Sequence, residues 1–256
     1  MSQVSTQLKG STAVMTLEGR TDLNLLGLEL FQKLNHGLDE VAADANITTL
    51  VLRGAGERAL TAGVDLYEMR DLTPQTAEEL ISTLHRAMRK MLTLPIPVIA
   101  AINGICLGGG LEMVLACDMR IASEDSTFGL PEVLAGVPSV IEASLLPKTV
   151  GLGRARRLIM TGESVTSKEA LDMGLVDQVV PKDAMNAAAL EAVGKFRNIS
   201  PQVLAAQKDI VVKWLEQGDE QAAEYSIKAF ALGFTSSHPR EAMSAFLEKR
   251  EPRFKS

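Results

Sequence analysis

Two glutamates, Glu112 and Glu132, lie near two glycine-bearing turns, and this combination of residue types points to chemistry at a carbonyl. The turns are "ALTAGVDLYEM" (59–69) and "LGGGLEM" (107–113). Both read as a strand running into a helix. A helix start leaves its first backbone N–H groups without intrahelical acceptors, and the helix dipole adds partial positive charge there. Two such starts that converge make a pocket for a developing oxyanion. Glycine lets an acyl group reach the backbone with no Cβ in the way. Gly109 and Glu112 are three residues apart, hence on one helical face, so a carboxylate falls beside the expected oxyanion. Glu132 sits in "TFGLPEVLAG" (127–136), where Pro131 restricts the turn. Paired carboxylates near one carbonyl suit general acid–base work at the carbons beside it. Singly, each feature has a plainer reading. Glu112 favours a helix dipole, Asp65 with Glu68 makes an N-cap pair, Glu132 is a loop acid, and three glycines allow close helix–sheet packing.

Other chemistries find no support. The chain has no G-x-S-x-G and no G-x-x-x-x-G-K-[ST]. His36, His85 and His238 are far apart and form no metal-ligand spacing, so no metal site is expected and each reads as a surface or hydrogen-bonded residue. "RGAGERA" (53–59) approximates a dinucleotide fingerprint, but no clean helix opens after it.

The elements that must hold these residues alternate. "TAVMTLEG" (12–19), "ITTLVLRGAG" (47–56), "PIPVIAAING" (95–104) and "MRIAS" (119–123) read as strands. Residues 24–45 and 73–94 have helical apolar spacing, with Thr73 as N-cap and Pro74 at the first helical position. Apolar strands alternating with helices predict stacked parallel sheet layers with helices outside. From about residue 151 most segments read as helices: "GRARRLIMTG", "TSKEALDMG" with Thr166 and Glu169 spaced as a capping box, "DAMNAAALEAVGKF", "PQVLAAQKDIVVKWLEQG" and "HPREAMSAFLEKR". The expected division is an α/β core at 1–195 holding the active site and a helical region at 196–256 for oligomerisation and pocket cover.

The 256 residues are 46% hydrophobic and 23% charged, enough apolar material for a large core. A net charge of −6 with no basic run argues against nucleic acid or an anionic membrane as the main partner. Cys106 and Cys117 read as small buried hydrophobes in a reducing compartment. There is no signal-peptide pattern and no apolar run of membrane-spanning length, so a cytoplasmic protein is expected.

Taken together, "TTLVLRGAGERALTAGVDLYEM", "PIPVIAAINGICLGGGLEMVLACDMRIASEDSTFGLPEVLAGVPS", "GRARRLIMTGESVTSKEALDMGLVDQVVP" and the terminal "AFLEKREPRF" resemble the crotonase (enoyl-CoA hydratase/isomerase) superfamily over nearly the whole chain. The resemblance implies an α/β fold, a crotonase-like spiral of stacked ββα units with a C-terminal helical trimerisation region. It implies a homotrimer or dimer of trimers, and an acyl-CoA thioester as ligand, with coenzyme A part of the substrate and no separate cofactor. It assigns the oxyanion hole to the backbone N–H groups of Val64 and Gly109, and catalysis to Glu112 and Glu132. Ala62, Gly63, Asp65, Leu66, Gly108 and Gly110 are the expected substrate-contacting neighbours. Both glutamates are present, which favours water addition across a 2-enoyl-CoA double bond, Glu112 deprotonating the water and Glu132 protonating the α-carbon. The alternatives are another reaction of the superfamily (double-bond isomerisation, decarboxylation or thioester hydrolysis) and a non-catalytic acyl-CoA- or RNA-binding role.

The chain departs from the common hydratase pattern in three places. A glycine-rich "GAGGT"-like turn is replaced by "SVIEASLLPKTVG" (139–151), which adds bulky residues that reshape the acyl pocket and a third acid, Glu142, a candidate for a catalytic part or, as the plainer reading, for a helix-face or structural role. "GRTDLNLLG" (19–27) is a weak version of the family's "NAL"-type segment, and Val64 stands where alanine is frequent. Coenzyme A carries phosphates, so Arg58 and Lys249 are candidate basic contacts and Phe246 a candidate for the pantetheine or adenine.

Overall fold

The computed structural model describes residues 2–254. The chain opens with an antiparallel hairpin, β1 (Gln3–Lys9) and β2 (Thr12–Glu18), turning at Gly10 with φ +63°. β1 is exposed apart from a half-buried Val4, and its two apolar residues, Val4 and Leu8, are too few for an alternation, so β2 carries the clearer strand signal in the sequence. Helix α1 (Leu28–Ala43) follows and buries Leu30, Phe31, Leu34, Leu38 and Val41 along one face.

A strand–strand–helix unit then recurs. β3 (Thr49–Gly54) and β4 (Ala59–Thr61) lead into the short α2 (Leu66–Met69) and the long α3 (Pro74–Thr93). β5 (Val98–Ile102) and β6 (Ile105–Leu107) lead into α4 (Gly109–Leu115). β7 (Met119–Ser123) and β8 (Thr127–Gly129) lead into two 3₁₀ turns, Pro131–Ala135 and Ile141–Leu145, then α5 (Leu146–Val150) and α6 (Leu152–Thr161). The first strand of each pair joins a six-stranded sheet, the second a four-stranded one. With β9 (Ser164–Thr166) and β10 (Gln178–Val180), the sheet orders are β1-β2-β3-β5-β7-β10 and β4-β6-β8-β9. All pairs are parallel except β1–β2 and β8–β9. Each unit advances one position in both sheets, so equivalent strand-to-helix turns come to lie side by side. The stacked ββα architecture expected from the resemblance is the one found.

Thr73 caps α3 in a reciprocal box with Thr76, and Pro74 takes the first helical position. Thr166 and Glu169 form the second box, at the start of α7 (Ser167–Asp172). Leu80, Leu84, Met88 and Met91 of α3 join the main core.

Beyond β10 come α8 (Met185–Gly194), α9 (Pro201–Glu216), α10 (Asp219–Gly233) and α11 (His238–Leu247). α10 has a weak amphipathic pattern and is not among the helices read from the sequence. Lys208 of α9 ties this region to the sheet: its Nζ donates to the Ile96 carbonyl at 3.0 Å and to Asp118 at 2.6 Å. Cys106 and Cys117 are free and buried, and burial pushes both thiols well above the usual range, so they serve as packing groups. Among the described residues no helix is long and apolar enough to cross a membrane, and no group of three or more His, Cys, Asp or Glu could hold a metal ion.

Candidate active site

The two turns singled out in the sequence meet at one cleft of about 510 Å³. Its wall includes Ala62, Gly63, Val64 and Leu66 from the first turn, Gly108, Gly109 and Glu112 from the second, and Glu132 from the 3₁₀ turn after β8. Most of the remaining wall is aliphatic, including Met69, Leu72, Leu80, Ile81, Leu84, Val137 and Val140, and among the described residues the two glutamates are its only charged lining residues.

The first turn is strapped down by residues 23–26. The Ala62 N–H donates to the Leu23 carbonyl, Leu26 N–H to the Gly63 carbonyl and Asp65 N–H to the Leu26 carbonyl, at 2.8–2.9 Å. Gly63 N–H donates to Thr61 Oγ1 at 3.0 Å. The strap is pinned by the buried Asn24, whose amide accepts from Gly19 and donates to the Ala55 and Ala59 carbonyls. Among the described residues, Val64 is left as the one amide of 62–65 with no protein acceptor. Gly109 opens α4, so its N–H likewise has no acceptor among the described residues. Both residues line the cleft. The "NLL" strap, weak as a sequence motif, therefore fixes which amide faces the cleft.

The three consecutive glycines have separate reasons. Gly108 has φ +55°, and a Cβ there would sit 2.8 Å from Glu132 Oε1. A Cβ on Gly110 would come within 2.4 Å of Thr61 Cγ2, in the core. Gly109 is the cleft-lining position, where a Cβ would press on Leu84 at 3.1 Å. Gly63, at φ +99°, brings the first turn against the Leu107 carbonyl.

Glu112 is 3% exposed. One carboxylate oxygen accepts the Val140 N–H at 3.3 Å. Burial first, then the charge of Glu132, holds its carboxyl up to about 8, with Glu142 adding to the rise and the Val140 N–H opposing it. Glu132 is half-buried and accepts a hydrogen bond from the Ser139 hydroxyl at 2.8 Å. The 139–142 segment therefore touches both glutamates. Ile141 within it has φ +40°, an uncommon conformation for a β-branched residue that costs on the order of 1–3 kcal/mol.

The other candidates lie elsewhere. Asp65 is buried behind the cleft wall, where it caps α2 through the Tyr67 N–H and pairs with Arg20 at 3.0 Å. Gly110 packs on Thr61 and is not on the wall. Glu142 is buried outside the cleft lining, in contact with His85 Nδ1 at 2.9 Å. Arg58 is exposed and pairs with Asp22 at 2.7 Å. Phe246, at 84% exposure, and Lys249 fall at the end of α11 and are not part of the cleft wall of this chain. Sequence reasoning missed Ser139; it read His85 as a surface or hydrogen-bonded residue, which it is, but not its partner Glu142. Ser139 lies inside the segment that departs from the hydratase pattern, and no spacing rule links His85 to Glu142 across 57 residues.

A sequence model of the family "Enoyl-CoA hydratase/isomerase" matches residues 7–256. The chain is 32% identical over 253 residues to a short-chain-enoyl-CoA hydratase of Clostridium acetobutylicum, covering 98% of this chain and 97% of the relative. It is 35% identical over 260 residues to a probable enoyl-CoA hydratase of Bacillus subtilis, covering 100% and 99%. Its fold superposes on the crystal structure of an enoyl-CoA hydratase from Bacillus anthracis with a TM-score of 0.92 at 32% identity, covering 98% of each chain. With two glycine turns converging on one cleft and matches of this extent, the chain belongs to the enoyl-CoA hydratase/isomerase family, within the crotonase superfamily.

Proposed function

We propose that the protein adds water across the 2,3 double bond of a 2-enoyl-CoA thioester. The observation that carries this reading is that the two charged groups on an otherwise largely apolar wall are both glutamates, on the same cleft as the two acceptor-free amides. The thioester oxygen would accept from Val64 N–H and Gly109 N–H, which hold negative charge as it develops. Glu112 would take a proton from the water while the water oxygen bonds to C3. The π electrons of the double bond move toward the thioester, and Glu132 would protonate C2. The pair then needs one proton in total, and a water held by both carboxyls lets that proton reach either. The raised pKa of the Glu112 carboxyl keeps one proton on the pair at neutral pH, which is the proton the addition must deliver to C2. The aliphatic residues of α2, α3 and the 131–140 segment favour an apolar acyl group.

The active assembly in this reading is a homotrimer or a dimer of trimers. α9 and α10 each bury a single residue, Val212 and Ala222, in the isolated chain. Helices so thinly anchored require a further apolar partner.

The test is a spectrophotometric assay on crotonyl-CoA and a panel of longer, branched and aromatic enoyl-CoAs. The expected result is loss of the conjugated enoyl absorbance, with turnover down by ~10²–10⁴ in Glu112→Gln and in Glu132→Gln. Acyl-CoA binding with no hydration of any panel member overturns the reading in favour of isomerisation or thioester hydrolysis.

A further inference from the structure

Among the described residues, the hydrogen bonds to both glutamate carboxylates come from the 139–142 segment, which precedes α5. Ser139 donates to Glu132 and the Val140 N–H to Glu112. The next residue, Ile141, holds a left-handed backbone conformation that a β-branched side chain disfavours. A strained turn persists only where its surroundings over-determine it. The anchor here is Glu142, which is not among the cleft-lining residues, is 4% exposed, and is locked to His85 on α3, with its two oxygens at 2.9 and 3.2 Å from Nδ1. α3 is the cleft's long aliphatic wall, so the tie joins the substrate-lining helix to the turn that aims the acids.

We propose that Glu142, clamped by His85, is a positioning residue: it holds the Val140–Ile141 turn so that the Val140 N–H fixes Glu112 and Ser139 fixes Glu132. The clamp holds a turn whose residues, Val140 and Ile141, are bulky where the common pattern has glycines. The inference rests on the acid–base roles given above to Glu112 and Glu132. Glu142 does not touch substrate. It acts by keeping two carboxyls within the tolerance that proton transfer requires, where a displacement of about 1 Å can cost ~10²-fold.

The test compares Glu142→Leu, Glu142→Gln and His85→Leu with the unaltered protein, each as the full chain. kcat and KM on the best enoyl-CoA are measured beside amide hydrogen exchange of the 138–145 peptide. Expected in Glu142→Leu and His85→Leu is a fall in kcat of ~10- to 100-fold, a KM within about threefold, and faster exchange confined to 138–145. Glu142→Gln, whose amide oxygen can still accept from His85, recovers most of kcat. Three results overturn the proposal. In one, kcat and exchange both stay at the unaltered level. In another, exchange rises with kcat intact, which makes the clamp a brace only. In the third, kcat falls with exchange unchanged and without recovery in Glu142→Gln, which assigns Glu142 a direct part in the reaction. If Glu142→Leu does not fold, His85→Leu, at a half-exposed position, carries the comparison. If the unaltered protein hydrates no enoyl-CoA, the hydratase reading fails separately. Exchange at Val140 then decides the clamp, faster in the variants supporting it and unchanged overturning it.

Discussion

Glu112 is where local environment has the largest consequence. Its carboxyl is held at about 8, chiefly by burial and then by the charge of Glu132. Hydration needs one proton on the pair to give to C2, and the last proton leaves the pair as pH rises through about 8. kcat/KM for hydration is therefore expected to fall above about 8, and a profile flat to pH 9 contradicts the paired-acid reading. The same shift acts on stability. The folded carboxyl keeps its proton while the unfolded one, near 4.5, releases it, so its contribution is intact below about 4.5 and is lost progressively up to about 8. Glu112→Gln removes this penalty. Its gain over the unaltered protein should grow from near nothing at pH 4.5 to roughly 2–4 kcal/mol at pH 9, after discounting for relaxation and water entry. Thermal melts across pH read this directly, and parallel melting curves for the two proteins would remove burial as the cause. At this scale the sequence was legible where backbone rules apply: the glycines at 63 and 108 and the acids beside them. It was silent on Ser139 and on the pairing of His85 with Glu142, contacts that no spacing rule predicts.

The elements that hold the site divide by length. α3, with Thr73, Pro74 and a sustained helical period, is readable because every local signal agrees. β4, β6, β8, β9 and β10 have three residues each, too few to display a period, and their places are set by pairing in the four-stranded sheet or at the edge of the larger one. Capping is more than a boundary marker here, because Ala77 in the first turns of α3 lines the cleft with Leu80, Ile81 and Leu84. Thr73→Ala removes the acceptor for the Thr76 N–H and should cost about 1 kcal/mol. That corresponds to a melting temperature lower by roughly 2–4 °C. Fraying near Ala77 loosens the acyl wall but leaves both acids in place, so KM should rise while kcat stays within about twofold of the original. A melt and a saturation curve on one preparation check both, and a fall in kcat with unchanged KM would mean that the cap reaches the acids.

At the scale of the whole molecule, the isolated chain leaves an unbalanced surface. Trp214, Ile227, Phe230, Leu232 and Phe234 on and beside α9 and α10 are between 54% and 70% exposed. Phe230 and Phe234 stack edge to face, 5.3 Å between ring centroids, and more than half of each residue's surface remains exposed. Monomeric proteins rarely present contiguous apolar patches of this kind. α10 buries only Ala222 in the single chain, so its other apolar residues are left toward the surface. Lys208 and its partners at the sheet end hold α9 in place meanwhile, so the region is docked on its own core and free to present the patch outward. The expected occupant is a second copy of the chain. Sedimentation or light scattering should give about three or six times the 27.5 kDa chain mass. Ile227→Asp with Phe230→Asp places two charges where the partner's apolar surface is expected, and burying each unpaired charge costs several kcal/mol. That double variant should sediment as the monomer at micromolar concentration. It should keep the six-stranded core, read as unchanged protection of β3 and β5 in hydrogen exchange, because neither side chain is buried in the single chain. A parent protein that remains monomeric, or a variant that remains assembled, would move the interface off these helices.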